Sequence, residues 1–241
     1  MKKFKLTSEF IVDISGVKLF RIKALIEFGN VKAGDLGGYI EKEENLSHMG
    51  DAWVSDDARI SGNAQVFGNA QVFGDAQVFG DAWVFGNAWV FGNARVSGNA
   101  RVSGNARVFG NAWVSGNARV FGDTQVFGDA RVFGNAWVSG NARVFGDAQV
   151  SGNARVSGDA QVFGDARVSG DKDYAYAHGF GSCNRTTTFF RLKDGDVGVR
   201  CGCFYGTLAQ FRDKVCETHG ETKKAQEYLM LADLMEIRFK N

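Results

Sequence analysis

Histidines are the first residues to consider for catalysis, because imidazole is the side chain most often used as a general base. The chain of 241 residues has three, His48, His178 and His219. None lies within residues 52–168, where a short repeat occupies the chain. His48 precedes this repeat and His178 follows it, so these two are the catalytic candidates, with a surface or structural role as the alternative. A base also needs a hydrogen-bonding partner, and the sequence does not identify one.

A second group of residues has the side chains that bind zinc. It consists of His178, Cys183, Cys201, Cys203, Cys216 and His219. The two thiols of Cys201-Gly202-Cys203 point the same way on a strand, but the paired Cys-x-x-Cys knuckles of ordinary zinc sites are absent. We therefore expect reduced, packed thiols and no metal or other cofactor.

The elements that must position these residues are set by residues 50–171, which consist of twenty hexapeptides with the pattern Gly-Asn/Asp-Ala-x-Val-Phe/Ser. Thr124 interrupts the Ala position, Ile60 the Val position and Asp56 the Gly position. Ala and Val alternate with x and Phe/Ser, which predicts a short strand with Ala and Val inside. Gly-Asn or Gly-Asp then forms a corner, because these residues tolerate positive φ.

The Phe/Ser position indicates how many hexapeptides make one coil. Read every eighteen residues, one column starts at Ser55 and continues without a break through Phe73, Phe91, Phe109, Phe127, Phe145 and Phe163. At an interval of twelve, Phe and Ser mix in both columns. This favours a triangular parallel β-helix with three hexapeptides per coil, about 32 Å long at roughly 4.8 Å per coil.

This pattern resembles the hexapeptide-repeat left-handed β-helix, whose members include acyltransferases, cytoskeletal scaffolds and ice-binding proteins. The acyltransferases use a His on a coil, usually beside an inserted loop, with the acyl donor bound between subunits. Here no hexapeptide contains His or an insertion. The resemblance therefore predicts the fold, while His48 or His178 could act only against a neighbouring chain.

The x positions carry nine Arg, six Gln and five Trp. Arg beside Trp can stack on bases, or the two can pair with each other on a solvated face. Eleven Asp and no Lys occur in the same region, and the net charge of the chain is +1. We therefore expect no binding to duplex nucleic acid, which requires a clustered basic surface.

The six phenylalanines of the unbroken column predict an apolar stripe on one outer edge, roughly 24 Å long. Soluble monomers rarely leave such a stripe in water, which suggests a partner. The alternative is that the rings shield one another at the corner. A second copy of the chain is the expected partner, because the stripe runs parallel to the prism axis.

The N-terminal segment, residues 1–39, is predicted to be a hairpin cap with strands at residues 10–14 and 17–26. Residues 28–40 are expected to be a glycine-rich connection that winds into the first coil near Ile40. Val31-Lys32-Ala33-Gly34-Asp35-Leu36-Gly37-Gly38-Tyr39-Ile40-Glu41 and Gly50-Asp51-Ala52-Trp53-Val54 resemble the corresponding segment of the YdcK-like proteins of enterobacteria and phages. Members of that family carry a transferase label that rests on the repeat alone.

The C-terminal segment, residues 172–241, follows the β-helix of residues 40–171. Strands are predicted at residues 186–192 and 197–203, followed by helices starting after Thr207 and Thr222. This ββαα pattern, with Cys-Gly-Cys-Phe-Tyr-Gly-Thr-Leu, resembles a module of phage and bacterial proteins of unknown role.

Together these features predict a non-enzymatic, homo-oligomeric solenoid that serves as a scaffold or binding platform, with end modules that could bind a protein partner. The alternatives are an acyltransferase and a phage inhibitor or sponge that captures a host protein or nucleotide. The sequence has no apolar run long enough for a membrane span and no signal-peptide core. We therefore expect no membrane association and a cytoplasmic location, in a bacterial cell or an infected host.

Overall fold

A computed structural model describes residues 1–181 and 185–240. Every hexapeptide forms one two-residue strand, as the alternation predicts. Sheet 1 contains β4 (Trp53–Val54), β7 (Gln71–Val72), β10 (Trp89–Val90), β13 (Arg107–Val108), β16 (Gln125–Val126), β19 (Arg143–Val144) and β22 (Gln161–Val162). Sheet 2 contains β5 (Arg59–Ile60), β8 (Gln77–Val78), β11 (Arg95–Val96), β14 (Trp113–Val114), β17 (Arg131–Val132), β20 (Gln149–Val150) and β23 (Arg167–Val168). Sheet 3 contains β6 (Gln65–Val66), β9 (Trp83–Val84), β12 (Arg101–Val102), β15 (Arg119–Val120), β18 (Trp137–Val138) and β21 (Arg155–Val156).

Strands within each sheet are parallel, and each residue pairs with the residue eighteen positions later, as Trp89 does with Arg107. This register confirms three hexapeptides per coil and a triangular solenoid. The left-handed sense of the coil stays a prediction.

The core of the solenoid is made of the Ala and Val side chains. In the twenty hexapeptides all of them are fully buried, and Ile60 fits at a Val position. Thr124 is also fully buried, but its hydroxyl oxygen has no hydrogen-bond partner in the described part of the chain. The core therefore follows the sequence pattern closely and has one polar defect.

The glycine of each hexapeptide turns the corner with positive φ, for example 69° at Gly86. A Cβ at Gly86 would lie 3.0 Å from the backbone nitrogen of Gly104 in the next coil, so the close stacking also requires glycine. Asp56 occupies this position once, with φ of 55°. The residue after the glycine forms ladders, in which the Asn69 amide donates to Asn87 at 3.1 Å.

The N-terminal segment forms three antiparallel strands, β1 (Phe4–Val12), β2 (Lys18–Ala24) and β3 (Leu36–Ile40). The hairpin is confirmed, although its first strand starts earlier than the sequence indicated. Residues 28–40 wind into the first coil near Ile40 as expected, and their last part forms a strand, β3, that the sequence did not indicate. β3 pairs with both β2 and β5, which extends sheet 2 through the hairpin to ten strands.

Side chains form the hydrogen bonds at the N-terminal end of the solenoid that a preceding coil would otherwise form. Between coils, backbone amides of strands and corners donate to carbonyls of the following coil, so the first coil presents unpaired carbonyls. Lys3 is buried, and its Nζ donates to the carbonyl oxygens of Gly50 at 3.1 Å and Ala52 at 2.8 Å. Asn45 Nδ2 donates to two carbonyl oxygens of the next corner at 2.8 and 3.1 Å. Burial lowers the pKa of Lys3 to about 8, while the charge of Asp51 opposes this shift.

The opposite end presents unpaired amides, and acceptors cover them. Asp173 Oδ2 accepts from the backbone nitrogens of Ser169 at 2.9 Å and Gly170 at 3.0 Å. Burial acts to raise the pKa of Asp173, but these hydrogen bonds hold it below its usual value. Asp171 Oδ1 and Thr188 Oγ1 accept from amides of β21 and β22 at 2.8 and 2.9 Å. Donors therefore cap one end and acceptors the other.

The C-terminal segment has a four-stranded antiparallel sheet and two helices. Its strands are β24 (Tyr174–Phe180), β25 (Arg185–Arg191), β26 (Val197–Cys201) and β27 (Phe204–Thr207), and its helices are α1 (Leu208–His219) and α2 (Lys223–Phe239). The N-caps Thr207 and Thr222 are confirmed. The expected hairpin and both helices are present, but the ββαα pattern is incomplete, because β24 and β27 flank the hairpin. Neither strand contains an apolar run that would mark it, because β27 has only four residues and β24 is mostly exposed or half-buried.

Candidate functional site

The most extended candidate surface is the Phe stripe, which we define as Phe73, Phe91, Phe109, Phe127, Phe145 and Phe163. It follows the corner between sheets 1 and 2. Ring centroids of the first five members are 4.8 or 4.9 Å apart, with interplanar angles of 2–7°. The angles show that the column hardly twists, so the ring edges form a straight ridge. Every ring is half-buried.

The ends of the Phe stripe differ. Ser55 precedes its first ring, whereas the C-terminal sheet contacts its last ring. Tyr205 meets Phe163 edge to face at 4.7 Å, and the Arg200 guanidinium lies 5.5 Å from the centre of the Phe163 ring. Burial raises the pKa of Tyr205. The exposed part of the stripe therefore belongs to the solenoid's earlier coils.

The other two Phe/Ser columns provide a natural comparison. Phe67 and Phe85 stack at 4.9 Å, but Ser103 follows them and interrupts the column. Phe133 stands between serines and is the most exposed phenylalanine of the repeat. A continuous stack therefore exists only at the corner between sheets 1 and 2.

His48 lies beside the N-terminal strands and stacks on Phe4, with ring centroids 4.3 Å apart. Its Nδ1 accepts the Lys3 backbone N–H at 3.3 Å, which places the proton of the neutral ring on Nε2. Nε2 is 3.8 Å from Glu43 Oε2, too far for a hydrogen bond. Neither nitrogen then offers a free lone pair to a substrate, so this arrangement does not favour His48 as a general base.

His178 lies on β24 at the other end of the solenoid. Its Nδ1 is 3.0 Å from Thr186 Oγ1, and the contact is exposed. The fold therefore does not bring the two candidate histidines together.

The cysteine-containing segment forms a cavity of about 180 Å³ lined by Cys201, Cys203 and His219, among others. Cys201 Sγ accepts from Thr187 Oγ1 at 3.2 Å and lies 3.7 Å from the Tyr228 hydroxyl. Cys203 and Cys216 are exposed thiols. Within residues 1–181 and 185–240, no group of three His, Cys, Asp or Glu side chains is arranged to hold a metal. Cys183 lies outside the described residues.

The x positions of sheet 3 place arginines in the coils next to its two tryptophans. The Arg119 and Arg155 guanidinium groups lie 4.9 and 5.4 Å from the Trp137 ring centre, and Arg101 lies 4.7 Å from that of Trp83. Arg and Trp therefore pair with each other, which is one of the two arrangements that the sequence left open.

A larger cavity of about 580 Å³ lies at the N-terminal end of sheet 3. The lead-in segment, residues 41–51, supplies Glu43, Glu44 and His48, and the first coils supply Phe67 and Trp83. Sequence reasoning missed this cavity, because nothing in the repeat indicates that the lead-in segment runs beside β6. Lys3 was missed as well, since a lysine near a terminus is ordinarily exposed.

Neither helix in the described part of the chain is long and apolar enough to cross a membrane. No curated protein matches the chain. A family model described as the YdcK Beta solenoid repeat matches residues 58–74, 100–116, 124–140 and 148–162. These four stretches all lie within the three parallel sheets, so the repeats of this solenoid are similar to those of the YdcK β-solenoid.

Proposed function

We propose that the chain is a non-enzymatic, rigid scaffold that self-associates through the Phe stripe. The observation that carries this proposal is the straight, untwisted stack of phenylalanine rings on one outer corner. The other corners carry serine at intervals, which breaks up their apolar surface.

A second copy of the chain is the partner that fits the stripe best. Two identical stripes share the same ring spacing of 4.8–4.9 Å, so their rings can stay in register over the whole length. A partner without this period would match one or two rings only. Fully burying an exposed phenylalanine contributes about 1.5 to 3 kcal/mol, and each of these half-buried rings contributes part of that at a contact.

The test is to change Phe91, Phe109 and Phe127 together to Ser. Serine already occurs at this position of other coils, so folding should be retained. We expect the variant to lose self-association in analytical ultracentrifugation while its circular dichroism spectrum stays that of the parent.

A matched control changes Phe67, Phe85 and Phe121 to Ser, which removes the same number of rings from the interrupted column of sheet 3. This control should associate like the parent. The proposal fails if the parent is a monomer, or if both triple variants associate equally well.

A further inference from the structure

The cavity at the N-terminal end of sheet 3 has a tryptophan ring as part of its wall. Trp83 and Trp137 occupy the same position of sheet 3, three coils apart. Each meets a phenylalanine of the preceding coil edge to face, at 6.0 Å for Phe67 and 6.1 Å for Phe121. The two tryptophans therefore have closely similar surroundings within the repeat.

They differ in the cations that cover them. Trp137 lies between two guanidinium groups, those of Arg119 in the preceding coil and Arg155 in the following coil. Trp83 has Arg101 in the following coil, but the preceding coil carries Gln65. The cavity lies on the side of Trp83 that corresponds to the position of Arg119 beside Trp137, and Gln65 also lines it.

The same cavity carries negative charge. Glu43 and Glu44 line it, and the hydrogen bond from Lys2 lowers the pKa of Glu43, which keeps this carboxylate ionised at neutral pH. Glu44 is exposed and forms no ion pair within the described residues. The cavity of about 580 Å³ is large enough for a small organic cation.

We propose that this cavity binds a guanidinium group, which stacks on Trp83 as Arg119 stacks on Trp137 and pairs with Glu43 and Glu44. An aromatic face attracts a cation through its quadrupole, and carboxylates bind guanidinium through paired hydrogen bonds. The guanidinium belongs either to a small amine or to an arginine of a peptide, and the chemistry of recognition is the same for both.

Lys2 is the intramolecular competitor for this site. Its Nζ lies 2.8 Å from both carboxylate oxygens of Glu43, and its side chain is 63% exposed. Because the Lys2 side chain can swing into solvent, an incoming guanidinium can replace it at Glu43. The variant Lys2→Ala should therefore bind a guanidinium more tightly than the parent does.

The experiment follows the five tryptophan indole N–H signals by nitrogen-15 NMR during titration, with each signal assigned from a Trp→Gln variant. The probes are agmatine, the peptide acetyl-Gly-Arg-Gly-amide and the same peptide with citrulline, which is neutral. We expect the Trp83 signal to shift saturably with the two cations and to stay unchanged with the citrulline peptide. Tighter binding of agmatine would identify a small amine as the source, and tighter binding of the arginine peptide would identify a protein side chain.

Two substitutions complete the test. Binding to these variants is measured by isothermal titration calorimetry, because Trp83→Gln lacks the reporting indole. Trp83→Gln should weaken binding of the cationic probes by about tenfold, whereas Trp137→Gln should leave it unchanged. Gln occupies this position in six other hexapeptides, so both variants should fold. Equal binding of the citrulline peptide, equal shifts of Trp83 and Trp137, or no saturable shift at Trp83 would each overturn the proposal. The result is independent of self-association through the Phe stripe.

Discussion

Thr124 offers a direct test of how tightly the repeat constrains its core. It is the one residue that breaks the Ala position, it is fully buried, and its hydroxyl has no hydrogen-bond partner in the part of the chain that is described. The adjacent corner is distorted, because Gly122 has φ of 80° where Gly104 and Gly140 have 68° and 69°. A polar penalty therefore acts at this coil.

We expect Thr124→Ala to stabilise the protein. An unsatisfied buried hydroxyl costs about 1 to 3 kcal/mol, and alanine removes this cost. Thr124→Val removes the hydroxyl but keeps the shape of the side chain, so it should stabilise the protein as well. For a chain of this size, 1 kcal/mol corresponds to about 2 to 4 °C in Tm.

The measurement is urea and thermal unfolding followed by far-ultraviolet circular dichroism. Ala106→Thr is the matched control, because it introduces the same hydroxyl at the same position one coil earlier, and it should destabilise by a similar amount. The reasoning is refuted if Thr124→Ala and Thr124→Val are both less stable than the parent, since Thr124 would then make a favourable contact.

Three further predictions concern the core, the N-terminal end and the histidines. Val108→Asp should destabilise by several kcal/mol in urea unfolding, because it buries an unpaired carboxylate, and an unchanged midpoint would contradict the inward orientation of Val108. The pKa of Lys3 is about 8 in the folded protein and 10.5 ordinarily, so between those pH values only the unfolded state keeps the proton, and the unfolding free energy should rise with pH by on the order of 2 to 3 kcal/mol. Lys3→Met should lack this rise, and parallel pH curves for parent and variant would contradict the lowered pKa of Lys3. His48→Ala and His178→Ala should retain the fold, and the parent should show no acetyl-coenzyme A turnover in a thiol-release assay; turnover that either change abolishes would reverse the non-enzymatic assignment.

The solenoid could be predicted from the sequence because its contacts repeat with the chain. Each residue pairs with the one eighteen positions later, so the column of phenylalanines from Phe73 to Phe163 already indicated the register. The helix starts at Thr207 and Thr222 were equally local, because a threonine side chain caps a helix within its own turn.

The ends of the solenoid were decided by tertiary structure alone. Residues 36–40 form a strand because β2 and β5 are available on either side, and no local pattern records those neighbours. Lys3 is buried because the first coil presents carbonyls that need a donor. The cavity beside Trp83 exists only because the lead-in segment runs along sheet 3. A repeat specifies how its units stack on one another, whereas its termination depends on contacts between segments that share no period.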